Sequence, residues 1–589
     1  MNTPLEFYTQ QKTEFENEAS SLKKKLVNVG ILRFIVFSGT CFLIYLTFGN
    51  FIELSVIASI GFSLFTFLIL KYIKLKRQKE IVEAKINNNI TEIKVLNSVF
   101  HQLKTGEEFI NSAHFYSNDI DLFGKGSFFQ FINRTATIDG KEALATILTE
   151  NKTTFILEKQ IVIKELAEKV MWRQHFSALA SLVSVETTPK SIVSWIKNYT
   201  AVFYKHLPKI QICFSVISIV LITLISFGFI PFSILVIWFF AGLFITATLL
   251  KRTQNLYSKT NKVSDTFKQY HQLLNEIENE QFSSKILKEK QEIIKSEDKK
   301  ASTIFKEFSK ILDAFDQRNN IIISVLGNGL FLSEIYNACK VEKWLFTYKH
   351  TVEKWFEVVA FFDAHNSLAN FTFNYPNFVF PEISDDQVVV KATNLGHPLL
   401  AVDKRIDNDF TIDKEQFFIV TGANMAGKST FLRTISLSII MANCGLPVCA
   451  ESFKYSPIML ITSMRTSDSL TEDESYFYSE LKRLKFIVDQ IETEDYFIIL
   501  DEILKGTNSK DKAIGSKKFV EKLTKSKSTG IIATHDVSLC ELESEFLDIK
   551  NYYFDAEIIN DDLYFDYTLK NGVCKNMNAS FLLKKMQIV

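Results

Sequence analysis

The chain has 589 residues, with 67 Lys and Arg against 67 Asp and Glu, so its formal net charge is zero. The length allows roughly four domains, and the balanced charge argues against a nucleic-acid binder that relies on a strong basic excess. A hydrophobic content of 47%, with only 20 Gly and 9 Pro, excludes a disordered or collagen-like protein. The seven cysteines include no Cys-x-x-Cys pair, so we expect buried thiols in a reducing compartment rather than disulfides or a zinc site.

Two uncharged runs near the N-terminus predict a first membrane hairpin. Residues 1–28 are polar and are expected to form one cytoplasmic helix, whereas residues 34–52 and 54–70 carry no charge. Because a helix needs about 20 apolar residues to cross a bilayer, we place a transmembrane hairpin at residues 29–75. Its two spans are placed at about residues 31–48 and 54–73.

A second membrane hairpin is predicted at residues 210–250, a continuous run without a charged side chain. Gly228 and Pro231 near its middle favour a tight turn between spans at about residues 210–228 and 231–250. Buried core helices are the alternative interpretation, but core helices rarely continue so far without a charge.

Lys and Arg side chains flank both hairpins at the same end. They precede and follow each hairpin, whereas the two connecting turns contain none. Since basic flanks favour the cytoplasmic side, we expect both termini and all the larger soluble segments in the cytoplasm. This orientation predicts a multi-pass protein of the inner, or cytoplasmic, membrane.

The segments outside the hairpins are predicted to be helical as far as residue 385. Residues 80–204 form a first helical region, and residues 251–385 form a second one with coiled-coil-like arms. The arms are defined by apolar residues spaced 4 and 3 apart, at Val263, Phe267, Tyr270, Leu274 and Ile277, and at Ile304, Phe308, Ile311 and Phe315. A free coiled coil and the packed core of a helical domain both fit this spacing. Lysine-rich residues 285–300 fit either a tip that contacts phosphates or a solvated helix face.

Residues 386–589 have the pattern of an α/β domain. Short apolar runs at residues 416–422, 496–502 and 530–536 alternate with helical stretches. Continuous apolar strands that end in polar residues indicate a mostly parallel sheet covered by helices on both faces. In such sheets the binding site lies at the carboxyl ends of the strands.

The segment from Gly422 to Ser429 matches the phosphate-binding loop G-x-x-x-x-G-K-[ST]. An apolar strand precedes it and a predicted helix follows, so backbone N–H groups and the helix N-terminus would face phosphate groups. We expect Lys428 to reach the β- and γ-phosphates of ATP and Ser429 to bind Mg²⁺. The predicted nucleotide-binding residues of the loop are Gly422, Ala423, Asn424, Met425, Ala426, Gly427, Lys428, Ser429 and Thr430.

Asp501 and Glu502 end a second apolar strand, well beyond the loop in the sequence. Asp501 is expected to contribute to the nucleotide site by binding Mg²⁺, directly or through water. Glu502 is placed to orient or deprotonate the attacking water. His535 ends the next strand, where it could contact the γ-phosphate. Lys428, Glu502 and His535 are therefore the predicted catalytic residues of an Mg²⁺-dependent ATPase.

The segment TGANMAGKSTFLRT resembles the phosphate loop of the MutS family of DNA mismatch-repair ATPases, which typically reads TGxNMxGKST. The pair Asn424-Met425 is much more specific than the general motif. Other similar segments are residues 121–148, 361–371, 394–400, Asn408-Asp409, Ser467-Asp468-Ser469-Leu470, Ser475-Tyr476-Phe477, 500–511 and 533–536. The resemblance covers roughly residues 114–204 and 251–589 and is strongest from 386 to 540.

This resemblance implies a P-loop ATPase domain of the ABC/MutS type together with an all-α core and lever domain. Family members pair through their ATPase domains, and a Ser/Thr loop of the partner subunit completes each ATP site. The matching stretch here is Thr507-Asn508-Ser509, but the family glycines on either side are replaced by Leu504 and Lys512. The resemblance therefore implies a homodimer and leaves the hydrolysis rate open.

Family members that read mismatches carry an N-terminal domain with a Phe-x-Glu wedge. Here only the short polar segment 1–28 precedes the first predicted hairpin, and outside the predicted hairpins Phe-x-Glu occurs at Phe305, Phe380 and Phe519, none of them in that region. We therefore expect the mismatch reader to be absent and any DNA binding to be non-specific.

Taken with the predicted spans, the resemblance favours a membrane-anchored MutS-family ATPase that hydrolyses ATP in a dimer to move helical levers gripping DNA. One alternative is a nucleotide-switched membrane tether or structural protein with little turnover. A less favoured alternative is the motor of a transporter, because four spans are few and no LSGGQ-like signature occurs.

Overall fold

A computed structural model of the chain describes residues 3–182, 187–200, 203, 207–295, 299–465, 476–504, 508–559 and 562–575. The chain divides into two compact units. The helical unit comprises Met1–Ile93, Thr135–Glu142 and Met171–Ala364, and the α/β unit comprises Lys94–Arg134, Ala143–Val170 and His365–Val589. The predicted helical region at residues 80–204 is therefore divided between the two units. The sequence could not predict this division, because helical periodicity does not show which core a helix joins.

The described helices and strands have the following bounds. The helices are α1 (Pro4–Leu46), α2 (Phe51–Leu96), α3 (Phe128–Ile132), α4 (Ile138–Thr149), α5 (Ile156–Glu168), α6 (Val170–Ser181), α7 (Pro189–Asn198), α8 (Leu207–Ser226), α9 (Phe232–Asn261), α10 (Ser264–Asn279), α11 (Lys285–Ile294), α12 (Ala301–Asp316), α13 (Ile321–Phe331), α14 (Ser333–Tyr348), α15 (Val352–Asn374), α16 (Lys428–Asn443), α17 (Tyr476–Gln490), α18 (Ser509–Thr524) and α19 (Leu542–Glu545). The strands are β1 (Glu382–Ile383), β2 (Val388–Leu395), β3 (Asn408–Asp413), β4 (Phe417–Gly422), β5 (Ser452–Tyr455), β6 (Met459–Ser463), β7 (Tyr496–Asp501), β8 (Thr529–Ala533), β9 (Ile549–Phe554), β10 (Glu557–Ile559), β11 (Asp562–Tyr564) and β12 (Leu569–Asn571).

The predicted N-terminal helix and the first predicted span form one continuous helix, α1, of 43 residues. No proline occurs between residues 5 and 46, and Phe15 and Leu22 on α1 pack against Val82 on α2. α2 is likewise continuous through residues 75–80, where the sequence analysis ends the first hairpin. Near residue 28 the side chains of α1 therefore change from polar to apolar, while the helical backbone continues without a break.

Among the described residues, α1, α2, α8 and α9 are long and apolar enough to cross a membrane, judged by length and composition. Each of these helices overlaps one of the four predicted spans. The most apolar stretch of each helix is at most 17% buried, so most of its apolar side chains are not covered by protein. α13 and α14 meet at an angle of 85° and would add a fifth candidate if counted as one span. The sequence predicts no membrane element at these residues.

Both coiled-coil-like seams lie in the core of the helical unit. α10 packs against α12, where the Phe267 ring lies 4.8 Å from the Phe305 ring and 4.7 Å from the Phe308 ring. The Phe308 ring in turn stacks on Trp344 of α14, with 3.8 Å between ring centroids. The seams are therefore the packed core of a helical domain and not a free coiled coil.

The lysine-rich segment is a solvated helix face where the structure describes it. Lys285 is exposed, with its Nζ 3.9 Å from Glu289 Oε1, and Lys299 Nζ lies 3.0 Å from Glu307 Oε1. α11 buries Leu287 and Ile294 in the helical unit. Residues 296–298 lie outside the described residues. Carboxylates thus already neutralise part of the positive charge that a phosphate-binding tip would need.

A buried carboxylate fixes the start of α4 in the helical unit. Asp363 accepts hydrogen bonds from the N–H groups of Ala136 and Thr137 and from the Thr137 hydroxyl. Gly140 permits this close approach, since a Cβ there would lie 2.1 Å from Asp363 Oδ2. Both segments belong to the stretches that resemble the MutS family, so part of that resemblance reflects a buried structural contact.

A six-stranded sheet, in the order β12-β9-β4-β8-β7-β6, forms the centre of the α/β unit. Its neighbouring strands are parallel except β12, which runs antiparallel to β9. β4, β7 and β8 correspond to the three predicted strands and are almost entirely buried. The predicted mostly parallel α/β domain is therefore confirmed. A second sheet in the same unit has the order β1-β5-β2-β3.

The seven cysteines are all free thiols, as the sequence predicts. Cys444, Cys449 and Cys540 are buried in the α/β unit, and burial raises the pKa of their thiols to about 12, 11 and 11 respectively. Cys41 on α1 and Cys213 on α8 are exposed, so the prediction of buried thiols is wrong for these two, which lie on apolar helices that are largely uncovered.

Candidate nucleotide-binding site

The loop between β4 and α16 folds as a phosphate loop requires. Gly422 and Gly427 have φ angles of +154° and +106°, and a Cβ at Gly422 would lie 2.8 Å from the Phe554 carbonyl oxygen. Gly427 forms the N-terminal cap of α16, and Lys428 is the first residue of that helix. The free N–H groups of the first helical turn and the helix dipole therefore favour an anion at this loop.

Lys428 is buried at the base of the loop and is held there by two backbone carbonyls. Its Nζ donates hydrogen bonds to the carbonyl oxygens of Gly422 at 2.7 Å and Ala423 at 3.0 Å. Burial lowers the pKa of the ammonium, while the charges of Asp501 and Glu502 oppose that shift. The two carboxylates thus help to keep a positive charge where it would attract phosphate oxygens.

Ser429 and Asp501, the predicted Mg²⁺ ligands, are in direct contact. The Ser429 hydroxyl donates a hydrogen bond of 2.7 Å to Asp501 Oδ2. In octahedral Mg²⁺ sites with bonds of about 2.1 Å, neighbouring oxygen ligands lie about 2.9 Å apart. The spacing and the oxygen chemistry of this pair therefore fit Mg²⁺.

Glu502 and His535 form a pair beside Lys428. β7 and β8 are adjacent and parallel, with Asp501 opposite Ala533, so the residues that follow both strands meet at one edge of the sheet. His535 Nε2 lies 2.8 Å from Glu502 Oε1 and 3.4 Å from Lys428 Nζ. A histidine with a proton on Nε2 donates to Glu502 and cannot also accept from Lys428. The three predicted catalytic side chains are thus brought together.

These residues line one cleft of about 450 Å³. From the predicted loop, Asn424, Met425 and Thr430 also line it, whereas Ala426 is buried beneath the loop. Sequence reasoning assigned no role in the site to the opposite wall, which includes His397, Leu400, Arg405, Ile406, Asn408, Phe431 and Tyr567. His397 lies within residues 394–400, a segment that resembles the MutS family. That resemblance is the sequence signal that could have identified His397 as a site residue.

His397 supplies a neutral ring to this wall. Burial first, and then the charge of Arg433, lowers the pKa of His397 to about 4. Its Nδ1 accepts a hydrogen bond from the Leu399 N–H at 3.3 Å. At neutral pH the uncharged imidazole and the nearby side chains of Leu400 and Ile406 suit an uncharged, flat ligand group such as a nucleotide base.

Asn408 fixes the C-terminal segment that closes one side of the cleft. Its side-chain amide donates to the Tyr567 carbonyl oxygen at 3.1 Å and accepts from the Leu569 N–H at 2.7 Å. The Tyr567 ring lies 3.0 Å from the position of a Cβ at Gly427. No sequence motif marks Tyr567, which is far from the phosphate loop in the sequence.

The predicted partner-contact loop is described only in part. Thr507 lies outside the described residues, as do Ser467-Asp468-Ser469-Leu470 and Ser475. Asn508 caps α18, where its side chain accepts a hydrogen bond from the Asp511 N–H at 2.9 Å. The described part of this stretch is therefore the start of a helix.

Leu504, at the position of a family glycine, has a φ of +59°. This left-handed conformation costs a residue with a Cβ roughly 1–2 kcal/mol. The Leu504 N–H donates to the Glu480 carboxylate, and the Leu504 side chain is buried in the core beside Gly515 of α18. Leu504 thus keeps a backbone shape that glycine adopts freely and adds buried apolar surface. Lys512, at the second such position, lies half-buried in the first turn of α18.

The three Phe-x-Glu segments outside the predicted hairpins do not present an exposed ring, whereas Phe51-Ile52-Glu53, with Phe51 82% exposed, lies at the start of α2 in the first predicted hairpin. Phe305 is buried in the helical unit, and Phe519 packs against the core of the α/β unit. The Phe380 ring centroid lies 4.2 Å from Lys164 Nζ. In this structure none of the three forms a wedge that could stack on a base.

The strand, loop and helix that carry Lys428, with acidic residues supplied by the neighbouring parallel strand, define a P-loop domain of the nucleotide-binding class. Residues 418–585 match the family model described as MutS domain V. Through this domain, over residues 418–585, the chain is similar to the MutS family.

Full-length relatives show how much of the chain this similarity covers. The chain is 28% identical to MutS protein homolog 4 of Mus musculus over 264 residues, which are 42% of this chain and 27% of that protein. It is 27% identical to DNA mismatch repair protein MutS of Staphylococcus haemolyticus over 270 residues, 44% of this chain and 30% of that protein. It is 33% identical to DNA mismatch repair protein MutS of Methanococcoides burtonii over 213 residues, 34% of this chain and 24% of that protein. The match therefore spans less than a third of the length of each relative.

Proposed function

We propose that the protein is a membrane-anchored ATPase of the MutS family, which binds ATP with Mg²⁺ in the cleft and hydrolyses it. One observation carries the proposal: the Ser429–Asp501 pair and the Glu502–His535 pair converge on Lys428 at the edge of a parallel sheet. These are the groups that phosphoryl transfer to water requires.

Each side chain has one role in the proposed reaction. Lys428 binds the β- and γ-phosphates, and Ser429 and Asp501 hold Mg²⁺, which neutralises phosphate charge when bound. Glu502 accepts the proton of the attacking water. The hydrogen bond from His535 Nε2 orients the Glu502 carboxylate for this step.

The proposed active form is a homodimer in which each subunit completes the ATP site of the other. The open cleft supports this arrangement, because Met425 on its rim is 76% exposed.

ATP-driven pairing would then move the helices of the helical unit, which we propose act as levers on DNA. Any DNA contact would be non-specific, since the Phe-x-Glu rings outside the predicted hairpins are buried or partly buried and the lysine-rich face is partly paired.

The proposed location is the cytoplasmic membrane, with both termini and the ATPase domain in the cytoplasm. The uncovered apolar stretches of α1, α2, α8 and α9 support an anchor, since that much exposed apolar surface is unfavourable in water. The basic residues that flank both hairpins support the orientation.

The test uses the full chain purified in detergent, with Mg²⁺ and a fluorescent ATP analogue. Lys428→Ala should lose binding, whereas Lys414→Ala should retain it, because Lys414 is a partly exposed residue outside the cleft that pairs with Asp385 at 3.1 Å. Normal nucleotide affinity in Lys428→Ala would contradict the proposed site.

Hydrolysis is tested in the same preparation. Glu502→Gln should bind ATP and hydrolyse it at least about a hundredfold more slowly, as for loss of a general base. The exposed Glu492→Gln is the matched control. Glu502→Gln should also be the most dimeric form with ATP in sedimentation experiments, and an oligomer unaffected by ATP would exclude nucleotide-gated pairing.

Leu504 and Lys512 favour a second candidate function, a nucleotide-switched membrane tether with little turnover. Both replace family glycines beside the stretch that would reach the partner site. ATP binding and dimerisation without measurable hydrolysis in the unmodified chain would favour the tether over the ATPase.

A further inference from the structure

We propose that α13 and the turn after it form a re-entrant membrane element, which enters and leaves the hydrocarbon of the bilayer on the side of Lys251 and Arg252. This inference rests on the proposed membrane anchoring by α8 and α9. The proposal places a third inserted element beside the two helices of the second hairpin. It identifies lipid as the partner of the exposed surface of α13.

The α13 surface is apolar, uncharged and uncovered. The run from residue 319 to residue 333 contains no charged side chain. Ile321, Ile322 and Leu326 are 78%, 71% and 52% exposed. A run of this length is too short to cross a bilayer as a helix, which is why span-based sequence reasoning passes over it. It is long enough to enter the bilayer and return.

α13 packs directly along α9 through two glycines. A Cβ at Gly329 of α13 would lie 2.2 Å from the Phe239 ring, and a Cβ at Gly242 of α9 would lie 2.4 Å from the Gly329 carbonyl oxygen. Small residues at both contact points allow the helix backbones to approach, as they do in membrane helix pairs. The exposed apolar surface of α13 is therefore continuous with that of a candidate span.

The end of α13 has its backbone carbonyls satisfied by side chains of α8. The Ser218 hydroxyl donates to the Leu330 carbonyl oxygen at 2.5 Å, and Gln211 Nε2 donates to the Phe331 carbonyl oxygen at 3.0 Å. Trp238 Nε1 of α9 donates to the Ser218 hydroxyl at 2.8 Å. Non-helical backbone is tolerated at membrane depth only where protein groups satisfy it, and this turn meets that condition.

Two independent contacts give the same depth. Ser218 lies eight residues after Ile210, where the uncharged run begins, and Gly242 lies eight residues before Leu250, where it ends. At 1.5 Å per residue, both lie about 12 Å from the charged end of their helix. By the same measure Gln211, which binds the Phe331 carbonyl oxygen, lies about 1.5 Å from that end, so the last turn of α13 lies between about 1.5 and 12 Å into a hydrocarbon core of about 30 Å.

The charged residues that bound the run are paired with each other at the entrance. Arg318 NH2 lies 3.0 Å from Glu334 Oε1, and both side chains are buried. The Thr253 hydroxyl of α9, three residues beyond Leu250, also donates to Glu334. The chain therefore enters and leaves at the level of the basic end of α9, as a re-entrant element requires.

This element is continuous with the core of the helical unit. α12 precedes α13 and α14 follows the turn, and these two helices carry the stacked pair Phe308 and Trp344. A shift of either helix would therefore move the inserted element in the lipid.

The experiment places an environment-sensitive NBD fluorophore on single cysteines of the full chain in nanodiscs, with and without brominated lipid. The background carries Cys41→Ala, Cys213→Ala and Cys339→Ala. The test sites are Ile322→Cys and Leu326→Cys, both on the exposed side of α13, so labelling is not expected to disturb folding. Phe240→Cys on α9 is the control for a site in the membrane anchor. Leu547→Cys, at a residue of the α/β unit that is 97% exposed, is the control for a site in water.

The proposal expects brominated lipid to quench both α13 sites as strongly as Phe240→Cys, and Leu547→Cys not at all. Quenching at Phe240→Cys without quenching at α13 would overturn the re-entrant element and leave the membrane anchor standing. Absence of quenching at Phe240→Cys would overturn the anchor and the inference together. An α13 site shielded from water but not quenched by lipid would indicate a protein partner and would also overturn the proposal.

Discussion

Replacing Leu504 should separate the cost of its backbone conformation from the benefit of its side chain. Leu504 follows Glu502 by two residues, has a φ of +59°, and buries its side chain to 7% exposure. Leu504→Gly removes the side chain and makes the left-handed conformation favourable. Leu504→Ala removes nearly the same side chain and keeps the unfavourable conformation.

The expected magnitudes follow from these two effects. Truncating a buried leucine to alanine costs about 2–5 kcal/mol, so both variants should be less stable than the unmodified chain. A residue with a Cβ at positive φ loses roughly 1–2 kcal/mol that glycine does not, and glycine's greater freedom in the unfolded chain offsets about 0.5–1 kcal/mol of that gain. We therefore expect Leu504→Gly to be more stable than Leu504→Ala by about 0.5–1 kcal/mol, the reverse of the order in a helix.

Hydrogen exchange of the β7 and β8 amides measures this difference in the full chain, because these buried strands exchange only when the α/β unit opens. A gap of about 1 kcal/mol corresponds to roughly a fivefold difference in exchange rate. Leu547→Ala, at an exposed leucine of the same unit, should leave the rates unchanged. If Leu504→Ala is as stable as Leu504→Gly or more so, the backbone at this position carries no strain and the reasoning fails.

Three further predictions concern other parts of the chain. Burial and the charge of Glu142 raise the pKa of Asp139 to about 7, so the folded chain binds a proton that the unfolded chain releases near pH 4, and stability should fall as pH rises through this range. Asp139→Asn should flatten that decline and add about 1–2 kcal/mol at pH 8, a value reduced for partial exposure; an unchanged pH profile of urea unfolding would exclude this role. In intact cells, Asn50→Cys should react with an impermeant thiol reagent and Lys299→Cys should not, and the reverse pattern would invert the topology. Affinity for a duplex with one G·T mismatch should exceed that for its matched parent by less than tenfold, about 1.4 kcal/mol, and a larger ratio in a salt-controlled binding assay would reveal a base-specific reader.

The phosphate loop could be predicted from sequence because its requirements are local. Gly422, Gly427 and Lys428 lie within seven residues, and their φ angles and hydrogen bonds follow from that short segment. Asp501 and His535 are distant in sequence, yet each follows a buried strand. Parallel pairing of β7 and β8 then brings the ends of those strands together.

The opposite wall of the cleft could not be predicted in this way. Asn408 and Tyr567 meet through hydrogen bonds between a β3 residue and a distant C-terminal segment, and neither lies in a motif with its own chemistry. The conformation of Leu504 was also hidden, because a leucine in the sequence does not indicate positive φ. Similarly, α13 falls below the length that identifies a span, and contacts with Gly242 and Ser218 reveal its relation to the hairpin.

The buried thiols of the α/β unit have a practical consequence for chemical work on the protein. With pKa values of about 11, only about one in ten thousand of the Cys449 and Cys540 thiols is ionised at pH 7. Cys444 is ionised still less. Since maleimides and peroxides react with the thiolate, Cys444, Cys449 and Cys540 should be almost inert to both. Reactive probes can therefore be introduced elsewhere in the chain while its ATP site keeps its native cysteines.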